Sequence, residues 1–404
     1  MINRRTVLTG AATAAVAAST TPTWAAATPG VTATEIKIGN TMPYSGPASA
    51  YSSVGKADVG FFKWVNDQGG VGGRKINFLS YDDGYSPPKT VEQIRRLVEE
   101  DKVDFLFHTL GTPTNSSIER YCNQRKVPQL FVATGADKWG DHKQYPWTIG
   151  WQPSYRTEAQ IYTKYMLQQN PNAKLAILYQ NDDFGKDYPA GVRDILGKDW
   201  DKRVIKSITY EVTDPTVDSQ VSELQSSGAD ALLVVATPKF AAQAIRKVHD
   251  LNWEPMFFMT NVSTSVGAVM RPAGPENAVG MLSTQYLKDP ADPAWDNDPG
   301  MKGFKDFMAK YVPGGDITDA GYIAGYGASY TMWKVLQQCG DDFSRENVLK
   351  QTTNLKELEV PALLPGIKVN TSPTNYHPIL AMQMVKWDGK TWQRFGNVIE
   401  GAQT

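Results

Sequence analysis

Cysteine, histidine, excess charge of one sign and long apolar runs are all scarce in this 404-residue chain. Basic and acidic side chains number 41 and 42, a net charge of −1. That balance excludes the basic footprint of a nucleic-acid binder and the polybasic face of a membrane-surface protein. The two cysteines, Cys122 and Cys339, lack metal-ligand spacing, so no zinc site is expected. An oxidising compartment would permit them to pair, but both fall in helical patterns and buried free thiols fit at least as well. The four histidines, His108, His142, His249 and His377, are scattered and read as surface or satisfied core residues rather than catalysts. No Gly-x-Ser-x-Gly elbow, His-Glu-x-x-His pair or Walker loop is present. An exported α/β enzyme would need a nucleophile, base or metal for which no constellation shows, and no catalytic residue, metal or cofactor is expected.

The amino terminus has the make-up of an export signal. Arg4 and Arg5 precede a weakly apolar stretch, residues 7–18, and the small residues Ala25-Ala26-Ala27 offer a cleavage site. The paired arginines point to the twin-arginine route, with imperfectly matching flanks. Residues 1–27 are therefore expected to be a signal peptide. Its removal would leave 39 basic against 42 acidic residues, a net −3. The mature chain is expected to be soluble, outside the cytoplasm, and long enough for two domains.

What is plentiful is alternation of strand and helix. Strands are expected at residues 36–39, 75–81, 104–107 and 129–132, and again at 174–179, 204–210, 231–235 and 256–259. Between them lie amphipathic stretches, such as Val54, Ala57, Phe61 and Val65 on one helix face. Helices are expected at residues 155–168, 184–196 and 240–250, one opening at Asp214-Pro215, and a long one at 317–338. A closing hairpin is expected at 379–387 and 392–398. Two such runs predict two doubly wound α/β lobes with parallel sheets. A TIM barrel fits the helical last third poorly, because a barrel would keep alternating. Gly69-Gly70-Val71-Gly72-Gly73 follows a helix and precedes a strand, so it reads as a turn and not a phosphate loop. The acidic pairs Asp82-Asp83 and Asp182-Asp183 precede helices, where acids complement the positive helix end.

Ligands of open α/β sheets bind beyond the carboxyl ends of the strands. That rule selects Tyr44 and Tyr51 after the first strand, Leu110, Gly111 and Thr112 after the third, and Thr134, Gly135 and Ala136 after the fourth. In the second half it selects Phe184, Thr237 and Asn261. Thr112-Pro113 sets a hydroxyl and free N–H groups at a helix start, which suits a carboxylate; capping of its own helix is an equal alternative. Tyr44, Tyr51 and Phe184 can supply aromatic walls.

At these residues the chain resembles the branched-chain-amino-acid-type solute-binding proteins of ABC importers. The carrying segments are Ile36-Lys37-Ile38-Gly39 with Ser45-Gly46-Pro47, Asn66-Asp67-Gln68-Gly69-Gly70-Val71-Gly72-Gly73-Arg74-Lys75-Ile76, and Asp182-Asp183-Phe184-Gly185. The resemblance implies a type I periplasmic binding fold whose lobes are joined by three crossovers, near residues 151–155, 283–286 and 360–366. The lobes would then be 34–152 with 284–362, and 153–283 with 363–404. It also implies a monomer in the periplasm, hinge closure on a small molecule, delivery to a membrane permease and no catalysis. The family's carboxylate loop matches Gly111-Thr112, a second loop matches Thr134-Gly135-Ala136, and its aromatics match Tyr51 and Phe184. Where amino-acid binders carry an acid for the ligand ammonium, this chain has Asn261. An unpaired buried ammonium costs several kcal/mol, against about 8 kcal/mol in a whole micromolar complex. The expected ligand is accordingly an organic carboxylate without an ammonium, resembling the aromatic-acid branch. The alternative is a binder of branched-chain amino acids or amides, using an acid elsewhere such as Asp183 or Glu211.

Overall fold

A computed structural model describes residues 28–401, so the expected signal peptide lies outside the described residues. The first sheet takes β1 (Glu35–Met42), β2 (Lys75–Asp82), β3 (Phe105–Phe107), β4 (Gln129–Val132) and β5 (Thr148–Gly150) in the order β2-β1-β3-β4-β5, all parallel. The second takes β6 (Leu175–Gln180), β7 (Val204–Tyr210), β8 (Ala231–Val235), β9 (Met256–Met259), β10 (Leu282–Gln285), β11 (Ala381–Trp387) and β12 (Trp392–Glu400) in the order β12-β11-β10-β9-β8-β6-β7. Only β11 runs against the others, pairing antiparallel with β10 and with β12 in the hairpin on one edge. The molecule is two α/β lobes, and each sheet reverses its strand order once, between β1 and β3 and between β6 and β8. Those reversals open the crevices in which such sheets hold ligands.

The core follows from the apolar runs. Ile36 and Ile38 alternate with half-buried neighbours on β1, and all five residues of β8 are buried, as a strand covered on both faces requires. In the first lobe the helix Ser52–Asp67 lays Val54, Ala57, Phe61 and Val65 inward and packs along the helix Ala320–Gln338. Gly325 permits that approach: a Cβ there would sit 2.4 Å from the Val54 carbonyl oxygen. Phe61 anchors an aromatic cluster with Trp64, Phe307 and Tyr326. Cys122 and Cys339 are buried free thiols, and burial pushes the Cys339 thiol up to about 12. The acidic pairs are structural at three of their four positions. Asp82 takes Ser45 and Lys89, Asp83 takes the Tyr85 N–H and the Thr90 hydroxyl, and Asp182 caps its helix through the Gly185 N–H. No described helix is long and apolar enough to cross a membrane.

The chain passes between lobes at somewhat different places from those expected. The first pass ends as the helix Tyr155–Gln169 begins. The second lies beyond Gln285, because residues 282–285 form β10 inside the second sheet. Residues 362–364 run antiparallel beside that pass: the Lys288 N–H donates to the Ala362 oxygen at 2.9 Å and the Leu364 N–H to the Tyr286 oxygen at 2.9 Å. The chain then returns to the first lobe. Val369 bridges Leu358, the Thr371 hydroxyl donates to the Thr352 oxygen, and the Tyr376 hydroxyl donates to the Pro146 oxygen. It joins the second sheet only at Ala381.

Candidate ligand-binding site

The loops beyond β1, β3 and β4 face those beyond β6, β8 and β9 across a cavity of about 1130 Å³ of empty space, part of it open to solvent. Seven of the residues selected from the sequence line it: Tyr51, Leu110, Gly111, Thr112, Phe184, Thr237 and Asn261. Gly111 has φ 103°, and a Cβ there would meet the Tyr85 ring at 2.6 Å, so the tight turn into the helix Thr112–Gln124 depends on glycine. The turn sets Thr112 in the first helical turn, where backbone N–H groups lack intrahelical partners.

Tyr44, Thr134, Gly135 and Ala136 do not line the cavity but lie behind or beside its wall. The Tyr44 hydroxyl pairs with Ser80 at 2.6 Å. Thr134 Oγ1 pairs with Thr112 Oγ1 at 2.6 Å and accepts the Ala136 N–H at 3.1 Å, so it positions Thr112 from the rear. Gly135 admits the interlobe pass: its oxygen accepts the Tyr155 N–H at 2.8 Å, and a Cβ would lie 2.4 Å from the Pro153 oxygen.

The lobes touch on both rims. On one, Ser116 and Lys138 hold Asp183 at 3.0 and 3.2 Å, and the Asp137 N–H donates to Asp187 at 2.8 Å. On the other, the Ala320 N–H donates to Ser265 at 3.1 Å, the Gly267 N–H to the Thr318 oxygen at 3.0 Å, and Arg271 meets Asp316 at 2.7 Å. Between them the Tyr51 hydroxyl reaches the Val262 oxygen at 3.2 Å. This is a closed clamp.

The walls are largely aromatic, with Tyr85, Trp151, Tyr155 and Tyr286 joining Tyr51 and Phe184. Tyr155 meets Phe184 edge-on at 5.1 Å and stacks on Tyr188 at 5.4 Å. Such rings offer flat apolar surface with a polar handle.

Sequence reasoning missed the buried carboxylates at this cavity: Asp289 lines it, and Asp58 and Glu158 stand behind its lining. Asp58, on the helix Ser52–Asp67, lies 3.0 Å from Nδ1 of His108 and accepts the Ser329 hydroxyl at 2.8 Å. His108 is itself a buried cavity residue. Glu158, on the helix Tyr155–Gln169, accepts the Asn261 N–H at 2.8 Å and its side-chain N–H at 2.5 Å, together with the hydroxyls of Tyr162, Tyr188 and Thr284. Burial pushes both carboxyls above the usual carboxylate range, opposed at Asp58 by His108 and at Glu158 by its hydrogen bonds. Lys288 also lines the cavity but is spent on Asp298 at 2.7 Å and the Pro361 oxygen at 3.0 Å. Asp183 and Glu211, the acids proposed from sequence for an ammonium, are absent from the lining. A signal for Glu158 existed: it sits three residues after Tyr155 and four before Tyr162, on the buried stripe of its helix. Among the described residues no group of three or more acidic, histidine or cysteine side chains could hold a metal.

Residues 35–391 match the model of the family described as periplasmic binding protein. The chain belongs to that family. Its family is one of periplasmic solute binders rather than enzymes. The chain is similar to the "Leu/Ile/Val-binding protein homolog 1" of Brucella suis biovar 1, 24% identical over 315 residues, 75% of this chain and 78% of that protein. It shares its fold with a branched-chain amino acid ABC transporter protein of Thermus thermophilus solved with bound valine (TM-score 0.81, 15% identity, 91% and 97% of the two chains). It shares it also with a solute-binding protein of R. palustris solved with 4-hydroxybenzoate (TM-score 0.75, 17% identity, 91% and 97%).

Proposed function

We propose that this periplasmic binding protein captures a small organic carboxylate, an aromatic acid in the first instance, by hinge closure and delivers it to the membrane permease of an ABC importer. The carrying observation is a cavity between lobes that touch on both rims, with Thr112 and the start of its helix at one side and walls of six aromatic rings. A carboxylate is served there by hydroxyl and backbone N–H groups without a free cation. Asn261 stands where an amino-acid binder would carry an acid. Tyr51, Phe184, Leu110, Gly111 and Thr237 are assigned to ligand contact, and Thr134, Gly135 and Ala136 to support of the head loop. The working unit is taken as a monomer exported through its Arg4-Arg5 leader. Its lobes are taken near residues 34–152 with 284–362, and 153–283 with 363–404, with β10 moving the second boundary beyond Gln285 and the final pass falling just before Ala381.

A second reading, a branched-chain amino acid or amide, is favoured by one observation: Glu158 stands directly behind Asn261 and brings an acid to that side after all. A thermal-shift screen of aromatic acids, amino acids, amides and short aliphatic acids separates the two. Stabilisation by benzoate-type acids supports the first reading. Stabilisation by leucine-like amino acids alone replaces it with the second.

A further inference from the structure

Glu158 is fully buried, and its partners among the described residues are all neutral donors, with no Lys, Arg or His among them. Two of those partners, Asn261 and Thr284, also line the cavity. An ionised carboxylate offers only acceptors, so the groups turned towards it must be donors. Asn261 is gripped twice, through its backbone N–H at 2.8 Å and its side-chain Nδ2 at 2.5 Å. With Nδ2 committed, the amide plane turns its other end, the carbonyl oxygen Oδ1, away from Glu158. Oδ1 takes no hydrogen bond from the described residues. The Thr284 hydroxyl is fully buried and is shared among Glu158 at 3.1 Å, the Tyr162 hydroxyl at 3.4 Å and the Met382 sulfur at 3.5 Å, so Asn261 Oδ1 is the oxygen left for a ligand.

We infer that Glu158 is a specificity-determining positioning residue: by taking both N–H groups of Asn261, it presents Asn261 Oδ1 at the second-lobe end of the cavity as an acceptor that reads a hydrogen-bond donor on the ligand. The inference rests on the carboxylate reading above and extends it, because the ligand then carries an acid at the Thr112 end and a hydroxyl or amine at the Asn261 end. A ligand that ends in a second acceptor, or in bare hydrocarbon, would leave that oxygen desolvated and unpaired.

Calorimetric titration with matched pairs tests this on the full mature chain. The first pair is 4-hydroxybenzoate and benzoate, which differ only in the donor. The wild type is expected to prefer the hydroxyl-bearing acid by about tenfold or more. Asn261→Ala is expected to bring that ratio to within about threefold of one, and Glu158→Gln, which can donate to Asn261 and release its orientation, to lower it by at least about threefold. A merely structural role would weaken both acids together and leave the ratio alone, and that outcome overturns the proposal. If the wild type binds neither acid, the aromatic reading has failed by itself, and the pair becomes leucine and 4-methylpentanoate, which differ only in the ammonium. A preference that collapses in Asn261→Ala then sustains the role of Glu158. A wild type without preference in either pair, or without binding to any of the four compounds, overturns it.

Discussion

Asp58 in the first lobe and Glu158 in the second are carboxylates of equal burial beside one cavity, and their surroundings differ in kind. Asp58 faces an imidazole at 3.0 Å and one serine hydroxyl. Glu158 faces tyrosine, threonine and asparagine donors, none of which can carry a positive charge. The first arrangement closes on itself. The second polarises its partners and hands the polarity on to whatever fills the cleft. The two halves of the clamp thus present different chemistry, donors near Thr112 and an acceptor at Asn261, and a ligand needs opposite ends to satisfy both.

The largest expected effect breaks this comparison at Glu158. Replacing it by leucine would strand the backbone and side-chain N–H groups of Asn261, which take no other partner among the described residues, at a cost of about 3–5 kcal/mol. Asp58→Asn should cost less, about 1–3 kcal/mol, because asparagine keeps a hydrogen-bonding group against Nδ1 of His108 and the Ser329 hydroxyl. Urea unfolding of both variants measures the difference. Equal losses would mean that asparagine satisfies the partners of Asp58 no better than leucine satisfies those of Glu158.

A second effect lies where the lobes meet. Asp187 accepts the Asp137 N–H across the cleft, and its carboxyl is pushed up to about 7, first by burial and then by the charges of Asp137 and Asp183. A carboxyl raised in the folded state favours folding while protonated. Its contribution is complete below the unfolded value near 3.8 and is lost as pH rises through about 7. Wild type should therefore lose about 2–4 kcal/mol relative to Asp187→Asn between pH 4 and pH 8. Asparagine keeps the acceptor for the Asp137 N–H and does not titrate. Unfolding midpoints of the pair at the two pH values check this, and a gap that stays constant between them would remove Asp187 from the account.

Much of the frame was legible because it is written in apolar periodicity. β4, β7, β8 and β9 begin and end where the apolar runs do. The short β5 and the polar β10 escaped, since Leu-Ser-Thr-Gln has one apolar residue and reads as a connection. Its Ser283 and Thr284 are buried to serve Tyr162 and Glu158, a reason that exists only in three dimensions. The helices Pro299–Tyr311 and Arg345–Thr352 escaped as well, and the helix expected to open at Asp214-Pro215 begins only at Asp218. At the site, the rule that ligands lie beyond strand ends found the loops. It could not separate Thr112, which faces the cavity, from Thr134, which stands behind it, because both are buried hydroxyls on neighbouring strand ends. Nor could it see Glu158 or Asp58, which stand on helices rather than strand ends; the buried stripe marks Glu158 as inward, but what either acid meets is set by the opposite lobe or helix.

A smaller effect sharpens the donor side of the comparison. Thr112→Val keeps the shape and removes the hydroxyl that pairs with Thr134. One neutral hydrogen bond contributes about 1 kcal/mol, so the affinity for an acid ligand should fall about fivefold while the ratio within each matched pair stays unchanged. Calorimetry on the same pairs reads both quantities. A changed ratio would mean that the two ends are not independent.

The smallest effect compares the rims. Arg271 and Asp316 are each about half exposed, 54% and 47% by side chain, although they meet at 2.7 Å. Lys138 is 24% exposed and is held between Glu119 of its own lobe at 2.8 Å and Asp183 of the other at 3.2 Å. An exposed pair contributes about 0–1 kcal/mol and is screened by salt, whereas a cation already fixed by one acid loses less side-chain entropy in meeting a second. Arg271→Ala should therefore lower ligand affinity by no more than about twofold, and by nothing measurable in high salt. Lys138→Ala should lower it about threefold to fivefold and leave part of that loss in high salt. Titrations of the two variants at low and high ionic strength order the rims. If Arg271 proves the costlier, then closure is held from the Ala320 side, and the Asp183 side serves the first lobe's own packing.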